Sequence, residues 1–258
     1  MNELIIKNTE GTTLTATNWQ AGFIAVDEPR HWEVGRSAEQ LSKDFSNGKP
    51  SSGELSLKEM ISFFCGSNNI EWDSAYIEHG SMFDKHPRPR MQDLAIWGKV
   101  DRQTFFVGVE AKVNEPFGSR SVAGQKSYID RLKAIGKNTE ADARLKDLCN
   151  DFLSSVDKKD YGKLRYQLLY YLAGSFRENA AIIFMPVIVY HSDKFDASIG
   201  EKNFKSYEKF MELIGFERVL QHPKEMKAAY RKTIIAIDKS REHMLSKPVY
   251  SCYIEKHL

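Results

Sequence analysis

Two stretches of the chain, residues 91–97 and 104–113, have the length and the apolar, aromatic and β-branched content of strands, and the polar connector 98–103 between them is of hairpin type. A turn centred between Asp101 and Arg102 sets Asp93 directly opposite Glu110. Facing residues of an antiparallel pair point to the same side, with Cβ atoms about 5 Å apart. Lys112 lies two residues beyond Glu110 and shares that side. The pattern thus predicts two carboxylates and an ammonium converging on one spot.

The remaining elements follow from capping signals and periodicity. The first thirty residues, rich in Thr and Asn, read as extended structure with a hairpin through Glu10-Gly11. Ser37-Ala38-Glu39-Gln40 predicts a capped helix ended by Asn47-Gly48, and Ser56-Leu57-Lys58-Glu59 a second, closed near Gly66, with Glu59 occupied in its capping box. Residues 69–79 predict a strand whose end carries Glu78, either a third carboxylate of the site or an exposed strand end. Helices are expected near 121–135, 139–155 and 161–176, the last placing Gln167 and Tyr171 on one face. The continuous apolar run 180–190 reads as a fully buried strand, with Pro186 marking an edge or a bulge. A helix over 201–214 has Phe204, Tyr207, Met211 and Ile214 as its core stripe and Gly215 as its stop. Residues 233–237 and 249–253 read as strands, with 240–245 helical between them.

Composition narrows the class. A chain of 258 residues with 41% hydrophobic and 12% aromatic residues can build a substantial core. A formal net charge of only +2 means that any contact with nucleic acid must use local patches. The three cysteines, Cys65, Cys149 and Cys252, lie far apart and form neither a zinc pattern nor a disulfide framework, which fits a reducing cytoplasm. The polar start does not read as a signal peptide, and no apolar run approaches the roughly 20 residues of a membrane helix.

The chemistry of the hairpin has two readings. Glu110 interrupts an apolar strand, and charges in such strands are seldom left unpaired. The trio is therefore either a cation-binding catalytic site or a structural ion pair. A second Glu-x-Lys, Glu225-Met226-Lys227, has no acidic partner expected opposite it and reads as solvated charge. Upstream of Asp93, loop 84–90 is stiffened by Pro87 and Pro89 and carries Lys85, His86, Arg88 and Arg90, either facing solvent or steering phosphate. No HExxH, Gly-x-Ser-x-Gly elbow or P-loop is present.

The order helix, strand, strand with Asp93, strand with Glu110-Ala111-Lys112, helix, strand resembles the core of the PD-(D/E)XK nuclease superfamily, with Gln92 where its motif has Pro. Gln167-Leu168-Leu169-Tyr170-Tyr171 is similar to the Gln-x-x-x-Tyr motif of the RecB-like branch, without that branch's iron–sulfur cysteines. Residues 109–118, 164–169 and 187–192 also resemble an uncharacterised bacterial family carrying EGKVDEPFG, RYQLL and LVHS motifs. The superfamily resemblance implies an α/β restriction-endonuclease-like domain spanning 1–258: an extension at 1–50, a core at about 55–216, and further elements at 217–258. It implies an Mg²⁺-dependent (or Mn²⁺-dependent) endonuclease acting on nucleic acid, DNA above RNA, as a possible homodimer. Asp93, Glu110 and the Ala111 carbonyl would hold the metal, Lys112 and Gln167 would assist catalysis, and Lys85, Arg88, Arg90, Lys158, Lys159 and Lys163 would contact the backbone. The alternative is a catalytically silent binding module of the same fold. Metal-dependent cleavage separates the two.

Overall fold

The computed structural model describes residues 3–15, 18–24, 33–84, 89–137, 140–238 and 243–257. These form a mixed eight-stranded sheet flanked by helices, an α/β fold. Strands β1 (Ile6–Lys7), β2 (Ile70–Ser81), β3 (Arg90–Val100), β4 (Gln103–Lys112), β5 (Ile182–Tyr190), β6 (Glu217–Arg218), β7 (Met226–Asp238) and β8 (His243–Lys256) lie in the order β1-β2-β3-β4-β5-β8-β7-β6. β2, β3 and β4 form an antiparallel meander, and β4, β5 and β8 run parallel to one another.

Two cores sandwich the sheet. On one side pack α4 (Val122–Ala134), α5 (Ala141–Phe152), α6 (Tyr166–Arg177) and α7 (Ala197–Leu213), through Ile129, Leu148, Leu172, Phe176 and Phe210. On the other lie α1 (Trp19–Ile24), α2 (Ser37–Ser46) and α3 (Ser52–Cys65), through Trp19, Leu41, Leu57 and Met60. Every residue of β5 is buried, as a strand covered on both faces requires.

Several expectations are corrected. α3 begins at Ser52, because the hydroxyl of Ser51 accepts the Glu54 N–H and caps it; Ser56 lies inside the helix and Glu59 is not a capping residue. Its stop at Gly66, with φ 68°, is as expected. α2 likewise starts without a Ser37 cap, and Glu39 instead accepts the Gly35 N–H at 2.7 Å. Residues 158–163 form a 3-10 helix rather than the first turns of α6, so Arg165 sits at the α6 N-cap. Pro186 lies in the middle of the sheet, not on an edge. Lacking an N–H, it coincides with a break in the β4–β5 pairing between Val107–Phe184 and Glu110–Val187. The Tyr171 hydroxyl fills that break, donating toward the carbonyls of Gly108 and Pro186.

The C-terminal region is a long hairpin. Residues 243–245 belong to β8 rather than a helix, and 239–242 lie outside the described residues. β8 runs beside β5 in the interior of the sheet, and β1 joins its far edge, so the sheet extends well beyond 55–216 in both directions. The second Glu-x-Lys also proves to enter a strand: Lys227 of β7 pairs with Glu255 of β8 at 2.8 Å. What separates it from Glu110-Ala111-Lys112 is exposure. Side chains of Lys227 and Glu255 are 33% and 27% exposed, against 9% and 1% for Lys112 and Glu110.

Candidate active site

The β3–β4 turn has the expected register. Val100 faces Gln103 and Leu94 faces Val109, a ladder that sets Asp93 against Glu110. Asp101 takes a left-handed φ of 55° in the turn, held by the Ser67 hydroxyl at 2.9 Å. The strict alternation of faces, however, fails just where it matters. Leu94 and Ile96 pack toward α2 and α3, and Ala95 toward α6. Gln92, with the parity of Leu94, nevertheless reaches Ser175 of α6. The pleat therefore slips at Asp93, and Glu78 beside it on β2 adopts a left-handed φ of 47°. Such conformations are strained for a residue with a side chain and cluster at functional sites. Main-chain pairing of β3 with β4 ends at Leu94–Val109. The Ala111 N–H donates instead to Oδ2 of Asp93 at 2.7 Å.

Glu110 is the hub. Its Oε1 accepts from Lys112 Nζ at 2.8 Å and from Gln167 Nε2 at 2.7 Å, while Oε2 accepts from the Arg90 guanidinium. Gln167 lies on the first turn of α6 against Gly118, whose φ of 61° turns the loop after β4. Asp93 Oδ1 has no hydrogen-bond partner among the described residues, and the residue keeps a window to solvent.

The electrostatics follow from this crowding. Burial and the neighbouring Glu110 charge push the Asp93 carboxyl up to about 7, against the pull of Lys112, Arg90 and the Ala111 N–H. The Asp93 side chain is ringed by protein despite its partial exposure, so burial is the leading cause. Burial would raise Glu110 too, but Lys112 and Arg90 outweigh it and hold Glu110 below the usual carboxylate range. Burial would lower Lys112, yet Glu110 and Asp93 keep it above its ordinary value. Near neutral pH the site thus holds one firmly ionised carboxylate, one half-protonated carboxyl and two cations. Carboxyls whose environments drive them apart in this way suit a division between proton carrier and fixed charge.

Among the residues expected to contact nucleic acid, Lys85 and Arg88 lie outside the described residues. Lys163 is an exposed side chain paired with Asp160 at 2.6 Å. Arg90 is a correction: it is buried, its stem lying across Gly174 and its guanidinium on Glu110, so it is not a surface phosphate contact. Asp84 is held by a two-pronged pair with Arg144 at 2.7 and 2.9 Å, and the Pro89 carbonyl accepts from the Tyr170 hydroxyl at 3.1 Å. The sequence reading missed Arg90 in this role, and also Gly108 and Gly174. A Cβ on Gly108 would lie 2.8 Å from Ser175 Oγ, and one on Gly174 2.9 Å from Arg90 Cβ, so both glycines permit the close approach of α6 to β3 and β4. Two glycines at the crossing of a helix and a strand were the available signal.

The donor set can be tested against the cation that the superfamily resemblance implies. Among the described residues no three His, Cys, Asp or Glu side chains gather closely enough to hold a metal ion. That count does not suit zinc, but Mg²⁺ commonly takes only one or two carboxylates and keeps several waters. Asp93, whose Oδ1 has no partner among the described residues, and Glu110, whose oxygens are shared with Lys112, Gln167 and Arg90, are oxygen donors of the kind Mg²⁺ takes.

Among the described residues no helix is long and apolar enough to cross a membrane. No curated protein and no solved structure matches the chain. A family profile does match, over residues 12–238, a span that includes the hairpin, α6 and most of the sheet. The chain belongs to the family described as a domain of unknown function, DUF6946.

Proposed function

We propose that the protein is a divalent-metal-dependent phosphodiesterase of the PD-(D/E)XK type, an endonuclease acting on nucleic acid and on DNA in particular. One observation carries the reading: Asp93 meets Glu110 and Lys112 at the point where the β3–β4 ladder opens, with one of its carboxylate oxygens lacking a partner among the described residues. The helix–meander–helix–strand order around it, from α3 through β5, is the arrangement that the resemblance implies, and Gln167 on Glu110 is compatible with its helix motif.

In this reading Asp93, Glu110 and the Ala111 carbonyl would hold Mg²⁺ or Mn²⁺. A cation bound there would acidify a water molecule and neutralise charge on a phosphate. Lys112, fixed by Glu110, presents a positive charge to an attacking oxygen or to the phosphate. The proton that the Asp93 carboxyl carries near neutral pH in the metal-free protein would leave it when a cation is held there. Gln167 keeps Glu110 in one rotamer. A homodimer would set two such sites on opposite strands of a duplex.

A second reading rests on the saturation of Glu110, whose two oxygens already receive three donors. It makes the cluster a structural knot in a binding module of the same fold. Cleavage of plasmid and of single-stranded RNA with Mg²⁺ or Mn²⁺ decides between them. Nicking or cutting that EDTA abolishes and Lys112→Ala removes supports the enzyme. Binding without cleavage, unaffected by metal, supports the module.

A further inference from the structure

The site contains one more cation than the metal chemistry requires. Arg90 contributes a permanent positive charge on Oε2 of Glu110, an oxygen that a divalent ion would need to share. An ion held by Asp93 and Glu110 with the guanidinium still in place would share the two carboxylates with two positive groups, Arg90 and Lys112. That arrangement is unfavourable wherever water is scarce.

The Arg90 contact is built as a latch rather than a weld. One guanidinium nitrogen donates to Glu110, another to the Met91 carbonyl, and Nε is buried with no partner among the described residues. The two-pronged geometry that makes arginine–carboxylate pairs strong is therefore absent here, although Arg144 uses it on Asp84. The stem is fixed where it crosses Gly174, and the chain just before it is tethered through Pro89. Beyond the stem the guanidinium lies 5.8 Å from the centre of the Tyr171 ring, so an aromatic face is at hand if it leaves Glu110.

We propose that Arg90 is an internal competitor for the divalent cation: it neutralises Glu110 in the metal-free protein and must swing off that carboxylate for the ion to bind. The inference rests on the metal-dependent reading above and adds a mode of control to it. Metal affinity is set by the Arg90–Glu110 contact, and anything that draws the guanidinium away tightens metal binding at the same site.

The test is Mn²⁺ binding, followed by electron paramagnetic resonance without substrate, in the wild type, Arg90→Met and Arg90→Lys. Arg90→Met should bind Mn²⁺ about tenfold or more tightly than the wild type, the scale of one coupling between adjacent sites, with Arg90→Lys between them. Equal affinities in the three proteins overturn the competitor role and leave the metal site standing. Failure of all three to bind overturns the metal site and the competitor with it. A readout independent of how the variants fold is the Arg90 Nε–H resonance of the wild type as Mg²⁺ is added. It should shift in step with binding; an unmoved signal at saturating Mg²⁺ overturns the proposal.

Discussion

Two of the buried carboxylate–lysine clusters among the described residues are built differently. On the side of α2 and α3, Asp44 accepts from Lys256 at 2.7 Å through one oxygen and from the Tyr190 hydroxyl at 3.0 Å through the other. One negative charge meets one positive charge, and both carboxylate oxygens are used. Burial prevails at Lys256, lowering its pKa despite Asp44. At the β3–β4 opening two carboxylates share two cations, Lys112 is raised rather than lowered, and one oxygen of Asp93 has no partner among the described residues. The two lie near enough that Asp93 helps keep the Tyr190 phenol protonated, after burial and Asp44. A closed, charge-matched pair ties α2 to the end of β8. An overcrowded group with a free valence is where a ligand is expected.

Asp44→Ala strands the Lys256 ammonium in a buried place and should cost about 3–5 kcal/mol in urea unfolding. Lys112→Ala should behave in the opposite way. Cleavage should fall by roughly 10²–10³-fold, about 3–4 kcal/mol in the barrier, as for the loss of one positioned charge. Its effect on stability should be much the smaller of the two, because Glu110 keeps Arg90 and Gln167. If Lys112→Ala unfolds the protein as Asp44→Ala does, the two clusters are alike and the site is structural.

A Cβ at Gly174 would crowd the Arg90 stem at 2.9 Å. Gly174→Ala should therefore cost about 1–3 kcal/mol by overpacking, with cleavage altered as well because the guanidinium is displaced. The pH dependence gives a finer test. Folding raises Asp93 from 3.8 to about 7, so between those values the folded chain binds more protons than the unfolded one. Its contribution therefore falls as pH rises through that window. Glu110 is depressed, so its contribution is present above 4.5 and is lost as pH drops below. Asp93→Asn should flatten the upper slope in denaturant titrations and leave the acid limb unchanged. The smallest effect is expected at the half-buried Lys227–Glu255 pair, where Lys227→Ala should change stability by about 0–1 kcal/mol.

The hairpin register was legible because it follows from chain parity and a short polar turn, both local properties. So were the buried strand at 182–190 and the stops at Gly66, Gly136 and Gly215, each with positive φ. Arg90 was not legible. A basic, proline-bearing loop reads as solvent-facing, and what buries this residue is Gly174, a helix residue distant in sequence. The pleat slip at Asp93 was hidden for a related reason: it depends on Glu78 and Gln92, whose places are set by β2 and α6 rather than by their own neighbours. The long C-terminal hairpin reads from sequence as strand–helix–strand because Ser240 to Leu245 has helical composition, while pairing with β7 draws residues 243–245 into a strand.

The most direct measurement is anomalous diffraction from crystals soaked in Mn²⁺. A peak between the carboxylates of Asp93 and Glu110, with none beside Asp44, is the predicted result. A map empty at the β3–β4 opening at saturating Mn²⁺, with the Arg90–Glu110 contact intact, would contradict the account.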